Sequence, residues 1–252
     1  MGDADRVPSL FGPAGFIDNP RVHWFQVRGN FLANYFPDRL LFPRTVFHEL
    51  LQPLSVAGDS RFAYPPGIKP LLRFQLNGSF NGLKGFASQA TDDEWTARPF
   101  DGANLIGFTV WHAARSLDWV VNCVLRDLPE LVEGAEWKDV RHPEAFFGAG
   151  ATREVADNVA RTVPRQRVIE YLSAMGPDAL AWLDSTPQEW FDQPVDLKSA
   201  RARERGYADD PVWPEIEDLH GIPRWQFLAR PGISHLRVHY GEMTSQLESL
   251  RA

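Results

Sequence analysis

Residues 104–128 read NLIGFTVWHAARSLDWVVNCVLRDL. Leu105, Phe108, His112, Arg115, Trp119 and Cys123 recur at steps of three and four, which lines them along one side of an α-helix and predicts a helix over 104–128. Asn104 or Asp101 is the expected N-cap. A histidine and an arginine inside an otherwise apolar stripe need a reason to be there.

Working outward, residues 69–90, KPLLRFQLNGSFNGLKGFASQA, place Leu72, Leu76, Phe80, Leu83 and Ala87 at helical spacing. Gly78, Gly82 and Gly85 weaken that helix in isolation and let another helix come close. Residues 91–104 and 129–163 read as loops, the second with short pieces. Pro164 stands at a natural first-turn position. Val168, Tyr171, Leu172, Met175, Leu180 and Leu183 then predict a helix, with a kink or restart at Pro177. Residues 193–221 are polar and proline-containing and read as a long loop. A last helix is predicted over about 232–250. Four main helices with long connections make an all-α chain, an antiparallel four-helix bundle with an irregular N-terminal extension and long loops. The division is residues 1–66, an extension expected to pack on the bundle, and residues 67–252, the bundle itself. In the extension, 21–31 reads as strand-like, 44–54 as a short helix stopped by Pro53, and 63–67 as a turn.

Composition limits the function. The 252 residues carry a formal net charge of −7, and an acidic surface repels phosphate backbones, so nucleic acid is not expected as a partner. A single cysteine, Cys123, excludes an intrachain disulfide and fits a reducing compartment. No stretch approaches the roughly 20 apolar residues that span a bilayer, and the first residues do not read as a signal peptide. The expectation is a cytoplasmic protein acting on a small molecule, without a membrane partner; a homodimer is compatible with it. Nine tryptophans and seventeen phenylalanines can fill a core or line an apolar pocket.

Residues 234–242, SHLRVHYGE, set His235 and His239 four apart, one turn apart on one side of the last helix. Two imidazoles so spaced can share a metal ion. The H-E-x-x-H protease helix has the same spacing, but Leu-Arg-Val lies between these histidines and supplies no glutamate base. Leu236, Tyr240, Met243, Leu247 and Leu250 form the apolar seam, and His235, His239, Glu242 and Gln246 the stripe beside it. At that edge the pair can face a cleft or water. A third ligand is required, and His112, mid-helix among apolar residues, is the candidate; an ordinary core histidine is the competing reading. Neutral imidazoles suit Zn, Ni and Fe(II), and three protein ligands would leave the open position that catalytic sites keep.

Residues 103–121, ANLIGFTVWHAARSLDWVV, and 230–251, RPGISHLRVHYGEMTSQLESLR, resemble the DinB-like superfamily, which includes mycothiol-dependent maleylpyruvate isomerases and bacillithiol S-transferases. A histidine inside the second helix, then H-x-x-x-H followed by Gly-Glu in the last, looks like that family's metal triad. Residues 168–195 are similar to its third helix. The resemblance spans roughly residues 67–250 and implies a four-helix bundle with a divalent metal on His112, His235 and His239. It also implies a metal-dependent thiol S-transferase or isomerase that joins a low-molecular-weight thiol to a small electrophile. The extension, the 193–221 segment and Pro177 depart from a minimal member, so the substrate does not carry over.

Two further residues are candidates for the chemistry. Arg115, one turn beyond His112, can bind an anionic group on a substrate or thiol; an Arg115–Asp118 surface pair is the plainer reading. Glu242 can orient a ligand histidine or act as a base; the plainer reading is a solvated glutamate. Cys123 has no evident activating neighbour and reads as packed. His23, His48, His142 and His220 show no ligand spacing. A non-catalytic metal- or ligand-binding bundle, and a bundle with a repurposed metal-free pocket for an organic substrate, are the alternatives to an enzyme of the thiol-transfer type.

Overall fold

Pro70 stands in the first turn of helix α1 (Lys69–Gln89), where its missing N–H is no loss. Leu72, Leu76, Phe80 and Leu83 run down that helix's buried side. The structure is a computed structural model that describes residues 67–252. The expected packing of residues 1–66 on the bundle, and the elements and histidines within them, lie outside the described residues. After α1 come α2 (Asp92–Thr96), α3 (Ile106–Asp118), α4 (Arg153–Thr162), α5 (Arg165–Ser185), α6 (Ala200–Glu204), α7 (Trp213–Ile216), α8 (Arg224–Phe227) and α9 (His235–Arg251). A π-helical stretch, Trp119–Leu125, prolongs α3, and another, Leu228–Ser234, joins α8 to α9. Among the described residues there is no strand, only an isolated bridge between Pro194 and Pro223. None of their helices is long and apolar enough to cross a membrane.

Helix α1 packs against α5 and α9, and α3 packs against the same two. Lys69 ties the start of α1 to the end of α5 by donating to the Asp184 and Thr186 carbonyls. These are C-terminal acceptors without a helical partner, where a cation also meets the favourable end of the helix dipole. The two π-helical stretches lie on each other, and Gly232 permits it: a Cβ there would stand 3.1 Å from Val120 Cγ1.

Several sequence expectations need correction. The helix does not restart at Pro177; α5 runs through it. The preceding residue is Gly176, which has no Cβ to clash with the proline ring. Residues 91–104 contain α2, started by a capping box in which Thr91 and Glu94 satisfy each other's backbone N–H. Residues 129–163 contain α4, capped by the Thr152 hydroxyl, and residues 193–221 contain α6 and α7. Neither Asn104 nor Asp101 caps α3; Leu105 stands at the cap without a side-chain bond. On α9 the buried face is turned from the expected seam. His239 and Gln246 join Leu236, Met243 and Leu247 inside, while Tyr240 is 47% exposed.

The largest departure is Arg115, which is 1% exposed. Its Nη1 donates to Asp118 and to the Tyr171 hydroxyl, each at 3.0 Å, and its Nη2 to Glu130 at 2.9 Å. Asp118 also accepts from the Tyr171 hydroxyl, from Asn122 and from the backbone of Leu131 and Val132. Glu130 further accepts from Arg205 and the Tyr207 hydroxyl. The Arg115–Asp118 pair exists, then, but in the core rather than on the surface. Such ions survive burial only because each is matched and hydrogen-bonded. Arg115→Met should lower the unfolding free energy by about 3–5 kcal/mol, the loss typical of breaking a buried pair. Denaturant midpoints check this, and a loss of less than about 1 kcal/mol would show the network to be unimportant for stability.

Candidate metal centre

His112 lies in the second turn of α3, His235 opens α9, and His239 follows one turn later. Packing of α3 against α9 brings the three rings together. The Nε2 atoms of His112 and His235 are 3.2 Å apart, and those of His235 and His239 are 2.9 Å apart. The rings stand edge to face, with interplanar angles of 85–88°. All three offer a ligand nitrogen within 4.8 Å of the others. Two imidazole nitrogens on one tetrahedral ion at about 2.0–2.1 Å would stand roughly 3.3 Å apart, so the spacing suits a shared ion.

The far sides of the rings fix which nitrogen carries the proton. His112 Nδ1 lies 2.7 Å from the Phe147 carbonyl, which only accepts, so Nδ1 holds the hydrogen and Nε2 the lone pair. His239 Nδ1 lies 2.8 Å from a Glu242 carboxylate oxygen, so that nitrogen carries a hydrogen and Nε2 is the one turned toward the other rings. His235 Nδ1 is buried without a partner. Burial, then the neighbouring His239, holds the His112 pKa down at about 3. Burial and both neighbouring imidazoles hold His235 well below the ordinary histidine range. Both are therefore neutral near pH 7. His235 Nε2 faces both other Nε2 atoms, and a single hydrogen there can be directed at only one of them. At least one close nitrogen pair lacks a hydrogen bond, and a cation between the rings would satisfy all three. These residues fit a divalent metal, and neutral imidazole is a good ligand for one.

The Phe147 carbonyl reaches His112 because the chain turns sharply there. Phe146 and Gly148 both have positive φ, 47° and 104°. A Cβ on Gly148 would stand 2.3 Å from His112 Nδ1, so only glycine lets this turn lie against the ring. Phe108 covers the ring's face, stacked with centroids 5.9 Å apart. On the other side, Glu242 accepts from Gln246, whose amide also donates to the Asn104 carbonyl. The carboxylate is held behind the ligand histidine, in the orienting position that metal-binding histidines require.

The three predicted ligands are thus brought together. Glu242 stands behind His239 with both oxygens engaged, in the arrangement of an orienter rather than of a free base. Arg115 is not brought to the cleft; its guanidinium is committed to buried carboxylates. Cys123 is buried, and burial pushes its thiol far up, as expected for a packed cysteine. Phe147, Gly148 and Gln246 were not anticipated. The FFGAG run at 146–150 signals a turn, but nothing in it says which side chain the turn will cradle. No family model matches the chain, and no curated protein matches it by sequence.

Gly148→Ala should displace the His112 ring and weaken binding of added zinc by about tenfold or more, the loss usual for disturbing a ligand's orienting partner. Competitive titration with a chelating dye measures it. An unchanged affinity would show that the turn does not set the ring.

Proposed function

We propose that His112, His235 and His239 hold one divalent metal ion, Zn, Ni or Fe(II), in a four-helix bundle of the DinB-like kind. On this reading the protein is a metal-dependent thiol S-transferase or isomerase that joins a low-molecular-weight thiol to a small electrophile. One observation carries the metal: three Nε2 atoms converge while the opposite nitrogens of two rings are held by acceptors. The paired contacts of α1 and α3 with α5 and α9 support the bundle. The order of the histidines along the chain supports the family.

A bound metal would lower the pKa of a coordinated thiol and make it a nucleophile near neutral pH. The chain's own contribution is position. Phe147 and Glu242 hold the ligand rings, and Phe108 gives the cleft an apolar wall for an electrophile. A non-catalytic metal-binding bundle is the second reading, favoured by one feature: the candidates Arg115 and Glu242 are both occupied by partners.

Replacing His235 and His239 together with alanine should abolish stoichiometric metal while the circular dichroism stays helical. Element-resolved mass spectrometry of untagged protein reads this, and retained metal would sink the site. In cobalt-substituted protein, mycothiol, bacillithiol or glutathione should shift the visible spectrum. Thiol consumption with a generic electrophile separates the enzyme from the binding protein; a spectrum indifferent to every thiol rejects the transferase.

A further inference from the structure

The cleft beside the three histidines is small, about 10 Å³, room for about one water-sized group, and is lined by Asn104, Phe108, Thr109, His112, Gly148 and His239. Thr109 is 1% exposed, and its Oγ1 has no hydrogen-bond partner. A threonine inside a helix ordinarily returns its hydroxyl to the carbonyl three or four residues back. Here the Leu105 carbonyl already accepts from the backbone N–H of Phe108 and Thr109, at 3.1 and 3.3 Å. Both of its lone pairs are engaged. Buried hydroxyls are rarely left unsatisfied, because the lost hydrogen bond is not recovered elsewhere. The group stands one helical turn before His112, on the wall of the same cleft.

The geometry points to Thr109 as the donor to an exogenous small anion held in front of the histidines. This rests on the metal reading above and adds a ligand subsite to it. The hydroxyl is a neutral donor whose rotor is free to point into the cleft. It suits one compact anionic atom, such as the oxygen of hydroxide or the end nitrogen of azide, in a space of about one water. It adds no charge and takes no proton, so its part is to bind and orient.

Azide is the probe, titrated into cobalt-loaded protein and followed in the visible spectrum, with metal content measured first. Thr109→Val keeps the shape and removes the donor. It should bind the same stoichiometry of cobalt, while its azide Kd rises by roughly tenfold or more, the scale of one hydrogen bond to a charged group. Thr109→Ser restores the hydroxyl and should return the Kd to within about twofold of the parent. Thr109→Ala repeats the loss should the valine disturb the helix. Equal azide affinity in parent and valine variants, both fully loaded, overturns the subsite and leaves the metal site standing. Loss of cobalt from both the valine and alanine variants also overturns it, because Thr109 would then be structural. A parent chain that takes up no metal removes both readings.

Discussion

A positive charge buried at Arg115 organises much of this structure. A guanidinium taken out of water must be matched and hydrogen-bonded, or the fold would lose several kcal/mol. Asp118 and Glu130 supply the charge, and Tyr171 bridges from α5. Glu130 in turn draws in Arg205 and Tyr207. Residues 129–163, which look like a connection in the sequence, are therefore tied to α3 through Glu130, and residues 193–221 are tied to Glu130 in turn through Arg205.

The same network reaches the histidines through the backbone. Arg115 Nη2 lies 3.5 Å from the Phe146 carbonyl, and the next carbonyl, of Phe147, accepts from His112. One turn, with Phe146 and Gly148 in the left-handed region, serves the charged core on one side and the imidazole on the other. Strain of this kind persists only where the surroundings over-determine it, and here Arg115 is buried and His112 is held by the turn's own carbonyl. Arg115 influences the site by holding the turn that orients His112, not by meeting a ligand.

The sequence revealed the helices that carry a clear stripe, because burial of one side imposes a period that no other constraint imitates. It revealed the i, i+4 histidines for the same reason: helix geometry alone puts His235 beside His239. It did not reveal Arg115 as a core residue, since two of its partners, Glu130 and Tyr171, lie 15 and 56 residues away and no local pattern couples them to it. Pro177 does not restart the helix, and Gly176 before it removes one of the usual clashes, that with a preceding Cβ. The capping box at Thr91 and Glu94 was legible in principle, but a five-residue helix has too few positions to show a period. On α9, His239 and Gln246 look like edge residues by type. Gln246 is buried with its amide donating to the Asn104 carbonyl, just before α3, and His239 with its ring against His112 of α3.

What surrounds the histidines also limits what the chain itself can do there. His112 is tethered to a carbonyl and His239 to Glu242, while Glu242 is shared with Gln246. A proton taken by Glu242 would weaken its hold on His239, so base catalysis and ligand orientation compete for one carboxylate. Arg115 cannot leave Asp118 and Glu130 without stranding two buried anions. Of the polar side chains lining the cleft, the Thr109 hydroxyl has no partner, and at neutral pH a hydroxyl neither accepts nor releases a proton readily. On the proposed reading, activation of a nucleophile therefore falls to the ion. The protein's discrimination falls to the shape of a small cleft, the Thr109 hydroxyl on its wall and the face of Phe108.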